Sequence, residues 1–173
     1  MNAFDDAADA LFEPLRAIPA ANTAAAVISN LADYGVAWSV LAAVKGRRRG
    51  PARRRSLRSL ALAGTVSFAV NAAVKQSVKR DRPEGALLVG AVRAPTSSSF
   101  PSGHTLAAFC TAVTLADSPA ERSAYLAFAT AVAASRVHLR AHHATDVVGG
   151  AAIGVALGLV LHRVREWGGP RGR

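Results

Sequence analysis

The sequence predicts an all-α fold: a polytopic membrane helix bundle of about five spanning helices with an N-terminal amphipathic helix. Three observations predict it. Five apolar runs alternate with short polar segments. Positive charge concentrates between the first two runs. The first sixteen residues alternate apolar and acidic positions at helical spacing. Average composition decides less: 51% apolar and 6% aromatic residues, with a mean hydropathy of +0.22, also suit a soluble helical protein.

Residues Met1 to Arg16 place Phe4, Ala7, Ala8, Leu11, Phe12 and Leu15 on one helical face and Asp5, Asp6, Asp9 and Glu13 on the other. This pattern predicts a helix at an interface or against the bundle, limited by Pro14 and Pro19. The first apolar run, Thr23 to Val44, is long enough for ~30 Å of hydrocarbon. It contains Asn30 and Asp33, near its outer half. The later runs are Leu57 to Val74, His104 to Ala116, Ser123 to Leu139 and Ala144 to Leu161. Several fall short of the ~20 residues of a full span, which a polar cavity sunk between helices would permit. The reading is one domain over 1–173: an interfacial helix (1–20), the bundle (21–165) and a cytoplasmic tail (166–173).

Net charge is +10. Eight of the 21 Lys and Arg lie between Lys45 and Arg58, flanked by apolar runs. That is the pattern of a loop held in the cytoplasm, not of a nucleic-acid face. The loop sends the second run outward, the third inward, the fourth outward and the fifth inward. Arg163, Arg165, Arg171 and Arg173 then lie inside, a second positive-inside signal. The expected location is the cell membrane, reached without a signal peptide. The lone Cys110 excludes an intrachain disulfide. Gly150, Gly154 and Gly158 recur every fourth residue, which allows close helix approach within the bundle or, as a second use, in a homodimer.

Three polar segments fall at the outer ends of these runs: Lys75 with Arg82-Pro83, Pro101-Ser102-Gly103-His104, and Ser135-Arg136 with His142 and Asp146. Lys75, Arg82 and Arg136 supply cations for phosphate oxygens, and arginine can grip two at once. Gly103 lets backbone amides approach an anion, Ser102 adds a hydroxyl, and His104 opens a helix whose positive end favours negative charge. His142 and Asp146, four apart, share a helical face, so the carboxylate can fix the imidazole tautomer.

In that order and spacing the segments resemble the three-part signature of the type-2 phosphatidic acid phosphatase superfamily. The departures are a single Arg-Pro where many members have two, and Arg140-Ala141 before His142 where a glycine is frequent. The resemblance implies that His142 attacks phosphorus to give a phosphohistidine, Asp146 orients it, and His104 protonates the leaving oxygen. It also implies that Lys75, Arg82, Ser102, Gly103 and Arg136 bind phosphate, with no cofactor. A metal is not expected: His138, His142 and Asp146 have suitable spacing, but three converging cations would repel a divalent ion. His138 and His143 then read as accessory.

The implied function is an integral-membrane phosphatase acting on the phosphomonoester or diphosphate of a membrane lipid. Length, Ala/Arg-rich composition and the segment Ala94 to Phe100 resemble small actinobacterial members, among them phosphatases of polyprenyl-linked intermediates including decaprenylphosphoryl phosphoribose. The rival substrates are phosphatidylglycerophosphate and undecaprenyl diphosphate. The rival classes are a soluble acid phosphatase or vanadate haloperoxidase, and a non-catalytic membrane protein that binds lipid phosphates.

Overall fold

The computed structural model describes residues 2–32, 36–45, 51–87 and 97–167. Among them the secondary structure is helical, in the order α1 (Ala3–Arg16), α2 (Pro19–Ala32), α3 (Val36–Lys45), α4 (Pro51–Ser77), α5 (Gly103–Leu115), α6 (Pro119–His138) and α7 (Ala144–Trp167).

Local sequence accounts for the helix ends. Asn2 caps α1, its side chain accepting from the Asp5 amide at 2.9 Å. Pro14 does not stop α1; it sits in the last turn, and the helix closes at Arg16. Ser118 caps α6 by accepting from the Glu121 amide, and Pro119 fills the first helical position, where its missing N–H costs nothing. Pro19 opens α2 in the same way.

The first apolar run forms two helices instead of the single expected span: α2 and α3 are bent by 61°. Asp33, at the break, lies outside the described residues. The other four runs each give one helix. Two helices among the described residues, Arg54–Ser77 and Ala144–Trp167, are long and apolar enough to cross a membrane, and α2 with α3 makes a third if the pair is one span. Of the five runs, two or three thus meet that test of length and hydropathy among the described residues. Helix α5 has 13 residues and rises only about 20 Å, short of the hydrocarbon thickness.

Helix α5 is instead the core. Nine of its residues are buried, from Thr105 to Leu115, and α4, α6 and α7 pack around it. Ala108, Ala112 and Leu115 meet Trp38 of α3 and Ala129 and Val132 of α6. Trp38 stands edge-on to Tyr125 and Phe128 at 5.9 and 5.5 Å. The outward faces of α4 and α7 leave Leu62, Phe68, Val148, Val160 and Val164 exposed, an apolar surface suited to lipid.

The glycine stripe lies between α5 and α7. A Cβ at Gly154 would come within 2.4 Å of the Leu106 carbonyl oxygen, one at Gly150 within 2.7 Å of the Ser102 carbonyl, and one at Gly158 within 2.7 Å of Val113. The stripe is therefore used for packing inside the chain, and α5 covers the face that a second copy would need.

One end of the bundle gathers the C-termini of α3, α5 and α7. There Lys45 pairs with Asp117 at 2.8 Å and Glu121 at 2.7 Å, and Arg165 pairs with Asp117 at 2.8 Å. The opposite end gathers the end of α4 and the α6–α7 turn with the start of α5 and α7. Helix α1 lies across this second end, packed on α6 and α7.

Candidate active site

The polar segments converge at the second end because three helices finish or begin there. After Ser77 the chain leaves α4 in an extended stretch and is strapped to residues 97–100. The Ser99 amide donates to the Arg80 carbonyl at 2.8 Å, and the Arg80 amide donates to Ser98 Oγ at 3.2 Å. Two cations close on this strap. Lys75, in the last turn of α4, donates to the Ser98 carbonyl. Arg82 donates through Nε to the Ser97 carbonyl at 3.1 Å and through Nη1 to the Ala141 carbonyl at 2.6 Å. Lys75, Arg82, Ser97 and Ser98 line an open cleft of about 410 Å³. Both cations donate to carbonyl and hydroxyl oxygens, and among the described residues neither forms an ion pair with a carboxylate.

The α6–α7 turn carries His142. Arg140 takes a φ of 51°, the left-handed region that glycine occupies without cost. Its side chain is fixed by Asp9 at 2.9 Å and Glu13 at 2.9 Å. The amides of Ala141 and His142 both donate to the Arg136 carbonyl, at 3.0 and 3.3 Å, and fold the turn back on α6.

His142 is buried, and its Nδ1 lies 2.7 Å from the Ser99 carbonyl oxygen. A carbonyl can only accept, so Nδ1 carries the proton. Nε2 is then the lone-pair nitrogen, and it lies 3.3 Å from Arg82 Nη1. Burial pushes the imidazole down to about 4; Asp146 opposes this, while Arg82 and Arg136 add to it. The ring is therefore neutral near pH 7.

Asp146 does not hydrogen-bond His142 as its spacing predicts. The two groups are 3.8 Å apart, beyond hydrogen-bond reach. Ser99 stands between them: its hydroxyl donates to Asp146 Oδ2 while its carbonyl accepts from His142. Asp146 Oδ2 also accepts from the His143 amide at 2.9 Å, and Oδ1 pairs with Arg80 Nη1 at 2.5 Å.

Arg136 is buried in α6 and donates to Ser29 of α2. Ser102 is buried at the N-cap of α5; its amide donates to the Asp146 carbonyl at 3.0 Å and its hydroxyl accepts from Thr105 at 3.0 Å. A Cβ at Gly103 would stand 3.1 Å from the Asn71 amide group, so the backbone approaches α4 closely there. His104 is half-buried and lines a different cavity, a groove of about 500 Å³ walled by Trp38, Leu60, Phe68 and Ala107. His138 turns to Asn22 at 2.8 Å and to Phe12, and His143 to the Asp81 carbonyl at 3.2 Å. Both have structural partners.

A family model matches this chain over residues 56–169, the PAP2 superfamily. The chain belongs to that superfamily. The decaprenylphosphoryl-5-phosphoribose phosphatase of Mycobacterium tuberculosis is 27% identical to this PAP2 protein over 146 residues, 84% of the chain and 80% of the relative. The crystal structure of a transmembrane PAP2-type phosphatidylglycerolphosphate phosphatase from Bacillus subtilis superposes with a TM-score of 0.78 at 25% identity, covering 99% of this chain and 90% of that one. Aquifex aeolicus LpxE shares the fold, with a TM-score of 0.69 at 22% identity over 88% of this chain and 93% of its own.

Residues that sequence reasoning passed over in this PAP2 protein are Asp5, Arg80 and Ser99. Asp5 is buried in the bundle-facing side of α1. Its carboxyl titrates below its ordinary value: burial opposes ionisation, but hydrogen bonds from Thr145 and Arg80 outweigh it. Arg80 is one of four consecutive charged residues, 79–82, with no pattern to single it out. Ser99 belonged to a serine run.

Proposed function

We propose that this membrane lipid phosphatase hydrolyses a polyprenyl-linked lipid phosphate through a phosphohistidine on His142. The observation that carries the proposal is the state of that ring. It is neutral, its Nδ1 proton is committed to the Ser99 carbonyl, and its Nε2 lone pair adjoins the Arg82 guanidinium. A nucleophile beside a cation is placed to meet a phosphorus whose oxygens that cation holds.

Lys75, Arg82 and Arg136 hold the phosphate oxygens in this reading. Nε2 of His142 forms the N–P bond as the P–O bond to the leaving alcohol breaks, and His104 gives that oxygen its proton. The imidazole becomes cationic, and Asp146, 3.8 Å from Nδ1, stabilises the new charge. Water then attacks phosphorus, its proton passes to His104, and the N–P electrons return to Nε2. Catalysis is transition-state charge stabilisation plus positioned proton transfer.

The polyprenyl class is supported by the mycobacterial relative and by the apolar groove that reaches His104. The site end is read as the outer one. The support is the far end, where Lys45, Arg54, Arg55, Arg58 and Arg163 collect as positive-inside residues do. The spans beyond the two or three long helices are read as short helices closed around the polar site.

The test is phosphate release from a polyprenyl-phosphoryl phosphoribose, undecaprenyl diphosphate and phosphatidylglycerophosphate, with His142→Ala as blank. The expected order puts the polyprenyl phosphosugar first in kcat/KM. A higher value for phosphatidylglycerophosphate overturns the substrate class. An active His142→Ala enzyme overturns the nucleophile.

A further inference from the structure

The family match begins at residue 56 and so leaves α1 unaccounted for. Yet α1 places one carboxylate against the catalytic turn. The Asp5 side chain is 1% exposed, and a carboxylate so buried is costly unless its oxygens are bonded. It accepts from Arg80 Nη2 at 2.7 Å, from the Thr145 amide at 2.8 Å and from the Thr145 hydroxyl at 3.0 Å. Thr145 is the second residue of α7, so a residue of α1 caps the helix that carries Asp146.

Arg80 makes the second link. One of its terminal nitrogens holds Asp5; the other holds Asp146 at 2.5 Å and the Thr145 hydroxyl at 2.6 Å. Its own carbonyl accepts from Ser99, whose carbonyl fixes His142 Nδ1. Arg80 thus touches both acids and the strap that sets the histidine tautomer.

The geometry points to Asp5 as a positioning residue of the phosphatase. It acts through Arg80 and Thr145 on Asp146, which makes the N-terminal helix part of the catalytic unit. The charge count gives the reason. Without Asp5, the Arg80 guanidinium would be balanced by Asp146 alone. The negative field that Asp146 presents 3.8 Å from His142 would then be largely cancelled at the step where the imidazole becomes cationic. With Asp5 present, Arg80 is balanced from the other side and Asp146 keeps its charge for the ring. The hydrogen bonds of the Asp5 carboxylate go to Arg80 and Thr145 and not to Lys75 or Arg82, so its effect is expected on turnover more than on substrate affinity.

This inference rests on the reading of His142 as nucleophile, and the experiment separates the two. Asp5→Asn, Asp6→Asn and His142→Ala are purified in detergent, checked for a monodisperse peak and for thermal unfolding, and assayed for kcat and KM separately. Asp6 is the neighbouring acid on the same helix, and it is exposed. The expected result is a kcat lower by about 10- to 100-fold in Asp5→Asn at a KM within about twofold of wild type. Asp6→Asn removes the same charge from α1 and should keep kcat. If Asp5→Asn keeps native kcat, or Asp6→Asn loses as much, the positioning role is wrong while an inactive His142→Ala leaves the nucleophile standing. An active His142→Ala removes the mechanism itself. Should Asp5→Asn not fold, Arg80→Lys reads the same link, because one ammonium cannot hold both carboxylates in that fork. Its kcat should fall at an unchanged KM, and native kcat overturns the proposal.

Discussion

Each end of this bundle holds an aspartate among basic groups, and the two surroundings differ. Asp117 has a side chain 50% exposed and pairs with Lys45 and Arg165 in the lining of a cleft of about 1150 Å³. Asp146 is fully buried and pairs with Arg80 beside His142. At the Asp117 end two acids, Asp117 and Glu121, pair with Lys45 and Arg165 within a wider excess of basic residues. At the Asp146 end Lys75 and Arg82 donate to carbonyl and hydroxyl oxygens, Arg82 adjoins His142 Nε2, and among the described residues neither cation pairs with a carboxylate. That cleft is not the one His142 and Arg82 line, and the same residue type is an exposed fastener at one end and a buried partner of Arg80 at the other.

Matched substitutions test that contrast. Asp146→Asn should cut kcat by about 100-fold or more, because an amide cannot carry the charge that steadies a cationic ring. A mutant with native kcat would make the two ends equivalent. Gly154→Ala alters the packing between them. Its methyl group would meet the Leu106 backbone, so a loss of about 1–3 kcal/mol in unfolding stability is expected; an unchanged melting temperature would contradict the close α5–α7 contact.

The acid limb of kcat/KM should lie near pH 4, not near the ordinary histidine value of 6.5. The sign follows from burial. Between those values the unfolded chain binds a proton at residue 142 that the folded chain excludes, so stability also falls as the pH falls through that window. A limb at 6.5 would mean that His142 is not the buried neutral ring described. The smallest effect belongs to Asp117→Asn: native kcat and a stability change under about 1 kcal/mol, as for exposed ion pairs.

Much of this was legible in the sequence. Four of the five apolar runs became single helices, with ends within a few residues of the runs, because hydropathy and capping residues are local signals. The three motifs met at one end because alternating helix direction leaves them no other place. The break between α2 and α3 was missed: Asp33 and Gly35 fall between Ala32 and Val36, but the apolar residues on either side read as one continuous run. Nor were the roles of Asp5 and Arg80. The acidic face of α1 reads as a solvated face until another helix covers it, and only the fold separates buried Asp5 from exposed Asp6. The His142–Asp146 spacing was legible but its meaning was not: four residues apart on one face gave proximity, and the chain inserted Ser99 between them.

The glycine stripe has a further consequence. His104 is the second residue of α5 and Asp146 the third of α7, and the two helices meet at Gly150, Gly154 and Gly158. At Gly150 and Gly154 the nearest atoms across the contact are the carbonyl oxygens of Ser102 and Leu106, so backbone against backbone sets the separation there. The stripe works as a gauge block: it holds the start of α5, with His104, at a set distance from the start of α7, with Asp146.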